Sequence, residues 1–338
     1  MRKVFFSIVL AMLALVAPAS AAAATPTFEL RNFGTAPGAA SDLEMDITVP
    51  SDQPAIAKVV IYVPAGYGLN TGVAPGTTVG TVDAVAQIGS TTVTIPTGNI
   101  VADTPANYTS NPEAQACAPG AHAAVWVAHA ASFAIPLYVD PTSSTESSLG
   151  AFKLQACFTS PDSPGAAAGA RLTEAILGFV HTVFTNPTAQ GIYFWRTIVV
   201  PYTPGTAAPN PAGAYELRSA VFIPATLTIK NGGYNKKTKK ALVTGKFLLL
   251  GKPLKGITVG IVQIGANGNV KLVGRPKTNK KGIYKLSIRL TKATVFGAVV
   301  VPGTGSCDAS PPPAAPGGCV SETDTSFFSN TLRVVPKK

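Results

Sequence analysis

Acidic side chains are almost missing from the last third of this 338-residue chain: residues 226–338 hold Asp308, Glu322 and Asp324 against 16 Lys and 3 Arg. A two-carboxylate glycosidase site needs carboxyl groups about 5 to 9.5 Å apart, and the candidates for one lie before residue 226. Residues 25–225 have the opposite balance, 13 acids against 2 Lys and 4 Arg, so the formal net charge of +11 conceals a dipolar chain.

The motifs of common chemistries are absent too. There is no G-x-S-x-G for a nucleophile elbow and no H-E-x-x-H for a zinc protease. A phosphate loop fails because Gly251-Lys252 is followed by Pro253, while Lys246 stands where the first glycine belongs. Only three histidines occur. His122 and His129 flank "AAVWVA" seven residues apart, which puts them on opposite strand faces, and His181 reads as a partly buried strand residue. With no C-x-x-C pair, the sequence indicates no metal site and no cofactor.

Long apolar runs are confined to the start. "MRKVFFSIVLAMLALVAPASAAAATPTF" has Arg2 and Lys3, an apolar stretch Val4–Val16 and small residues through Ala24, the pattern of a cleaved signal peptide. Thirteen apolar residues fall short of the about 20 a bilayer span requires. The expectation is a mature protein that is secreted or held in the cell envelope, with no transmembrane segment. Cys117, Cys157, Cys307 and Cys319 suit that oxidising setting. Three connectivities are possible, and locality favours Cys117 with Cys157 and Cys307 with Cys319.

What is present is strand signal. "DLEMDITVP" sets Leu43, Met45, Ile47 and Val49 against Asp42, Glu44, Asp46 and Thr48, a half-buried strand whose acids read as a solvated face. Similar runs recur at "AKVVIYVPAG", "AAVWVAHA", "AFKLQACF", "GIYFWRTIVVPY" and "YELRSAVFIP", separated by clusters of Pro, Gly and Ser. "RLTEAILGFVHTVF" could form a helical stripe, but its β-branched and aromatic ending favours strand. Asp140, Glu146 and Glu174 have no evident placement. The fold class expected is all-β: a signal peptide at 1–24, a large loop-rich β-sandwich at 25–225 and a basic β-sandwich at 226–338.

The basic part carries a family pattern. "LVTGKFLLLGKPLKGITVGIVQI", "GRPKTNKKGIYKLSI" and "TVFGAVVV" place Gly245, Gly251, Pro253, Gly256, Val259, Thr278, Gly282, Tyr284 and Leu286 at recurring positions. This stretch resembles the bacterial Ig-like and carboxypeptidase-regulatory-like β-sandwich modules. The resemblance implies an Ig-like sandwich from a secreted or surface protein. Before Ala225, "PAG" at Pro64–Gly66 and the set Trp195, Arg196, Pro201, Tyr202, Ala212, Gly213, Glu216, Arg218 and Ser219 are similar to exported actinobacterial proteins of unassigned role.

Lys236, Lys237, Lys239, Lys240, Lys280 and Lys281 are the candidate contacts to an anionic cell-wall polymer or membrane surface. Each lysine near such a surface contributes about 1 kcal/mol, within a Debye length of about 8 Å. The bland alternative is that these lysines keep a β-rich domain soluble and guard its edges. Specific nucleic-acid recognition is disfavoured, because the few aromatics of the region occupy positions expected to be buried. Tyr193 and Trp195 share a strand face and are candidate sugar-stacking residues if exposed; the commoner reading of such a pair is core, because Trp is costly to leave in water. The reading is an exported, non-catalytic structural or adhesive protein of the bacterial cell envelope. Its rivals are a secreted glycan- or small-ligand-binding module and a secreted hydrolase with a nonstandard site.

Overall fold

A computed structural model describes residues 25–163, 170–265, 269–301, 304–307 and 311–336. The expected signal peptide, the Gly-Ala turn at 164–169 and part of the "ANGN" turn lie outside these residues. The described chain is all-β apart from a short helix and two 3-10 turns. No helix among the described residues is long and apolar enough to cross a membrane.

In chain order the first twelve strands are β1 (Thr27–Asn32), β2 (Ala40–Thr48), β3 (Ile56–Val63), β4 (Gly68–Leu69), β5 (Thr78–Ile88), β6 (Thr91–Asp103), β7 (Ala124–Ala130), β8 (Phe133–Pro141), β9 (Phe152–Cys157), β10 (Ala170–Thr185), β11 (Gly191–Pro201) and β12 (Tyr215–Ile223). Then come β13 (Ala225–Asn235), β14 (Lys240–Leu249), β15 (Lys252–Pro253), β16 (Gly260–Ile264), β17 (Val270–Gly274), β18 (Ile283–Arg289) and β19 (Thr294–Val300). The last are β20 (Thr304–Gly305), β21 (Cys319–Asp324), β22 (Phe327–Phe328) and β23 (Leu332–Val334). The ambiguous "RLTEAILGFVHTVF" lies in β10, a strand of 16 residues.

The described residues fall into two compact units, 25–223 with 304–325, and 224–301 with 326–336. The change of unit at Pro224 adjoins the expected boundary. Residues 303–325, however, belong with the larger unit and not with the basic module. The reason is pairing: β21 lies parallel to β12, with Leu217 opposite Ser321 and Ala220 opposite Asp324.

The larger unit is one long sheet in the order β1-β2-β10-β5-β6-β7-β8-β9-β3-β11-β12-β21-β20, curled almost into a barrel. Its ends meet through side chains. Ser219 Oγ accepts from Leu30 N at 2.9 Å, Ser321 Oγ donates to Pro26 O at 2.6 Å, and Thr325 Oγ1 donates to Leu30 O. Leu43, Met45 and Ile47 face inward with Phe28, Leu30, Trp126 and Trp195, as period-two patterning requires. A six-residue helix, α1 (Pro112–Cys117), covers the outer face of β7 and β8 with Ala114 against Val125, Val127 and Tyr138. Both disulfides have the connectivity favoured by locality, and Cys117–Cys157, with Cα atoms 5.8 Å apart, ties α1 to β9.

One expectation about the outer face fails. Glu44 and Asp46 are not solvated: both are buried, and the buried Arg31 guanidinium on β1 donates to Glu44 and, at 2.9 Å, to Asp46 and Glu29. Burial pushes the Glu44 and Asp46 carboxyls above their ordinary range, and Arg31 pulls them back. Alternation revealed which residues share a face, but not that this face would be covered. Asp42, at the strand's exposed end, accepts from His181 N at 2.6 Å; His181 itself is exposed, against the partly buried place expected of it.

A second buried ionic group lies under the Pro-rich loop closed by Cys307–Cys319. Arg218 Nε donates to Glu216 Oε1 at 2.6 Å. The loop lies over this pair: Ala314 N donates to Glu216 Oε2 at 2.6 Å, and Arg196 Nη1 donates to Pro312 O at 3.3 Å. The loop was expected to belong to the basic module; Glu216 and Arg196, which bond its described residues Ala314 and Pro312, are on the larger unit.

The smaller unit has two sheets. One joins β14 to β13, β15 and β18; the other has the order β17-β16-β19-β22, with β23 also on β19. Their inner faces bury Ile229, Val243, Phe247 and Tyr284 on one side and Ile261, Phe296 and Ala298 on the other. Phe247 and Phe327, one from each sheet, have ring centroids 5.3 Å apart. Gly245 is required here, because a Cβ would run into Thr228 O and the Tyr284 hydroxyl, which donates to that same carbonyl. Gly282 turns the chain into β18 with φ +71°, where other residues are strained.

Candidate polyanion-binding face

The sheet of β13, β14 and β18 has a buried side and an exposed side, and sequence alternation decides which residue goes where. On β14, Ala241, Val243, Gly245 and Phe247 point inward, leaving Lys240, Leu242, Thr244 and Lys246 on the other face. Register then aligns the neighbours. Lys230 of β13 and Lys285 of β18 both stand opposite Thr244, and Arg289 stands opposite Lys240. Lys230, Lys240, Lys246, Lys285 and Arg289 are all exposed. With strands about 4.8 Å apart and alternate residues about 7 Å apart, the five cations share a strip about 10 Å wide and about 20 Å long.

The lysines singled out from sequence fall at the two ends of this strip. Lys236, Lys237 and Lys239 occupy the β13–β14 hairpin turn beside Lys240 and Arg289. Asn235 Oδ1 accepts from Thr238 N at 3.1 Å, and Lys239 adopts φ 54°, so the turn has a defined shape. Lys280 and Lys281 sit in the turn before β18, near Lys246, where Asn279 Oδ1 accepts from Lys281 N at 2.8 Å and Ile283 N at 3.1 Å. The sequence singled out Lys240 and the turn lysines at the two ends; it did not single out Lys230, Lys246 and Lys285 along the sheet, or Arg289 beside Lys240. The available signal was parity: each stands at an outward position of its own strand.

Electrostatics are one-sided. Residues 224–302 and 326–338 hold 19 Lys and Arg and no Asp or Glu, whereas all 16 acids of the chain lie in 24–223 and 303–325. No side-chain carboxylate inside the smaller unit is available to neutralise the strip. Lys240 opposite Arg289 is a like-charge cross-strand pair, an arrangement that destabilises a sheet. Aromatic rings do not interleave with these cations, since Phe247 and Tyr284 point into the core.

The other candidates resolve differently. Trp195 is fully buried, packed edge-on to Tyr67 at 5.0 Å and to Phe184 at 5.7 Å. Tyr193 contacts Tyr67 and donates its hydroxyl to Ala189 O at 2.8 Å. Trp195 belongs to the interior of the barrel and Tyr193 packs partly buried against it, so sugar stacking on Trp195 is ruled out. His122 Nδ1 lies 2.9 Å from Asp140 Oδ2 under Tyr138, and Glu146 accepts from Lys153 at 2.8 Å and from Tyr62 at 3.0 Å. Among the described residues, no group of three His, Cys, Asp or Glu side chains is placed to hold a metal ion. No family model matches the chain, and no curated protein matches it.

Proposed function

We propose that this is an exported, non-catalytic protein of the cell envelope whose basic unit holds it to a linear anionic polymer. The observation that carries the reading is the acid-free unit with five exposed cations aligned across three strands. Two disulfides are in keeping with an oxidising location outside the cytoplasm. Two sheets facing each other across Phe247 and Phe327, with Gly245 and Gly282 in structural roles, support the Ig-like reading of this unit.

Five engaged cations at about 1 kcal/mol each give about 5 kcal/mol, a sub-millimolar contact that needs many copies or many repeats to hold. A strip about as wide as three strands fits an extended chain of phosphates or carboxylates lying along it. Binding of the full chain to immobilised inorganic polyphosphate across a salt series tests this. Affinity is expected to fall linearly in log–log form with salt, and the slope to shrink in the Lys230→Glu, Lys246→Glu, Lys285→Glu variant. Retention that ignores salt or the triple substitution rejects the proposal; preference for anionic vesicles over the polymer replaces the polymer with a membrane surface.

A further inference from the structure

The barrel of the larger unit is packed at one end and hollow at the other. Trp126, Phe179, Phe184 and Trp195 form a chain of ring contacts, with centroids 5.4 to 5.7 Å apart, that closes the packed end. Toward the opposite end of the same strands the inward positions shrink to Ala84 and Ala86 on β5, Ala128 and Ala130 on β7, and Ala156 on β9. The space they leave is a cavity of about 490 Å³. Protein interiors normally hold few voids larger than a water molecule. A volume of this size falls in the range of small-molecule sites, about 300 to 1,000 Å³.

Chemistry narrows the occupant. Leu137, Leu154, Ile61 and Val59 complete the walls, so water would find few partners inside. Of the polar residues along the lining, Arg171 donates to Ser51 O and Gln53 O, Ser160 to Thr206 O, and Thr173 to Val85 O; Glu113, Thr159 and Glu174 also border the space. Among the described residues, none of the buried side-chain atoms without a hydrogen-bond partner lines the cavity. An occupant therefore needs no polar atom in its buried part. The mouth continues the apolar surface. Val93 stands opposite Ala86 and Phe133 opposite Ala130, both on the cavity face, and they are 37% and 43% exposed. An inserted chain would cover this exposed lip.

We infer that the hollow end of the barrel is a binding site for the hydrocarbon chain of a single-chain amphiphile, entered tail first with the head group left at the mouth. This site is separate from the basic strip and independent of the role proposed for it. The probe is cis-parinaric acid, whose fluorescence rises in an apolar site, titrated into the full-length protein and displaced by saturated fatty acids of increasing length. Saturable one-to-one binding is expected, with affinity rising about fourfold per methylene until the cavity is filled. It should not change with salt, which separates it from fatty-acid anions held on lysines. Ala128→Phe, which fills the cavity, is expected to weaken binding at least tenfold while the thermal midpoint is unchanged or raised. If that variant does not fold, Ala86→Leu makes the same test. Absence of saturable binding, salt-sensitive binding, or equal affinity in a folded filled variant overturns the inference.

Discussion

Lys240 and Arg289 stand directly opposite each other on β14 and β18, both side chains exposed on one face of the sheet. A cross-strand pair of like charge lowers sheet stability by some tenths of a kcal/mol up to about 1 kcal/mol. Arg289→Glu is expected to raise the thermal stability of the protein by that order, because it makes the pair attractive. The same substitution should weaken polyphosphate binding. Measuring both on one variant separates the proposed role from simple solubilisation, which would leave binding unchanged.

Arg31 donates to both of the buried carboxylates, Glu44 and Asp46. Arg31→Met removes that partner and leaves two desolvated charges, a loss expected to reach about 3 to 5 kcal/mol at neutral pH by denaturant titration. Burial raises both carboxyl pKa values, so the folded state takes up protons more readily than the unfolded state. Stability contributed this way is present at low pH and lost as pH rises through the folded values. The variant should therefore recover part of its stability on mild acidification.

Gly245 leaves room for the Tyr284 ring in the centre of the smaller unit. Gly245→Val must displace that ring and the hydroxyl bond to Thr228 O. A destabilisation of about 1 to 3 kcal/mol is expected from overpacking, seen as a lower unfolding midpoint. Tyr284→Phe, which keeps the ring and removes the hydroxyl, should cost about 1 kcal/mol.

Glu146 shows the opposite titration behaviour to Glu44. Burial works to raise its carboxyl pKa, but bonds from Lys153, Ser143 and Tyr62 outweigh it and hold the value down at about 2, against an ordinary 4.5. Its contribution to stability is complete above the unfolded value and disappears as pH falls from about 4.5 toward about 2. Glu146→Gln should flatten the thermal midpoint against pH across that window. An unchanged profile would show that the bonds to Lys153 and Tyr62 do not persist in solution.

Strand identity was legible in the sequence wherever alternation ran unbroken, as in "DLEMDITVP", and even the ambiguous segment at Arg171–Phe184 resolved as strand through its β-branched ending. Faces were harder. Period two separates Glu44 from Met45, but whether the Glu44 side meets solvent depends on what covers it, which no local pattern encodes. For Trp195 the commoner expectation, a core position, is the one the structure shows. Lys236 to Lys240 stood out as a run, while Lys230, Lys246 and Lys285 became neighbours only through register between three strands. Nothing local to Ala84, Ala128 or Ala156 marks a cavity, because a cavity is the joint result of several small residues facing one another.

Threading of the carboxyl-terminal segment bears on how the molecule is made. The chain completes twelve strands, leaves for seven more, returns to lay β21 beside β12, and departs again for β22 and β23. During synthesis, the barrel's seam at Leu30 and Ser219 can gain the hydroxyls of Ser321 and Thr325 only after the seven strands β13–β19 have been made. Termination between Val300 and Cys319 would thus leave β12 without its parallel partner.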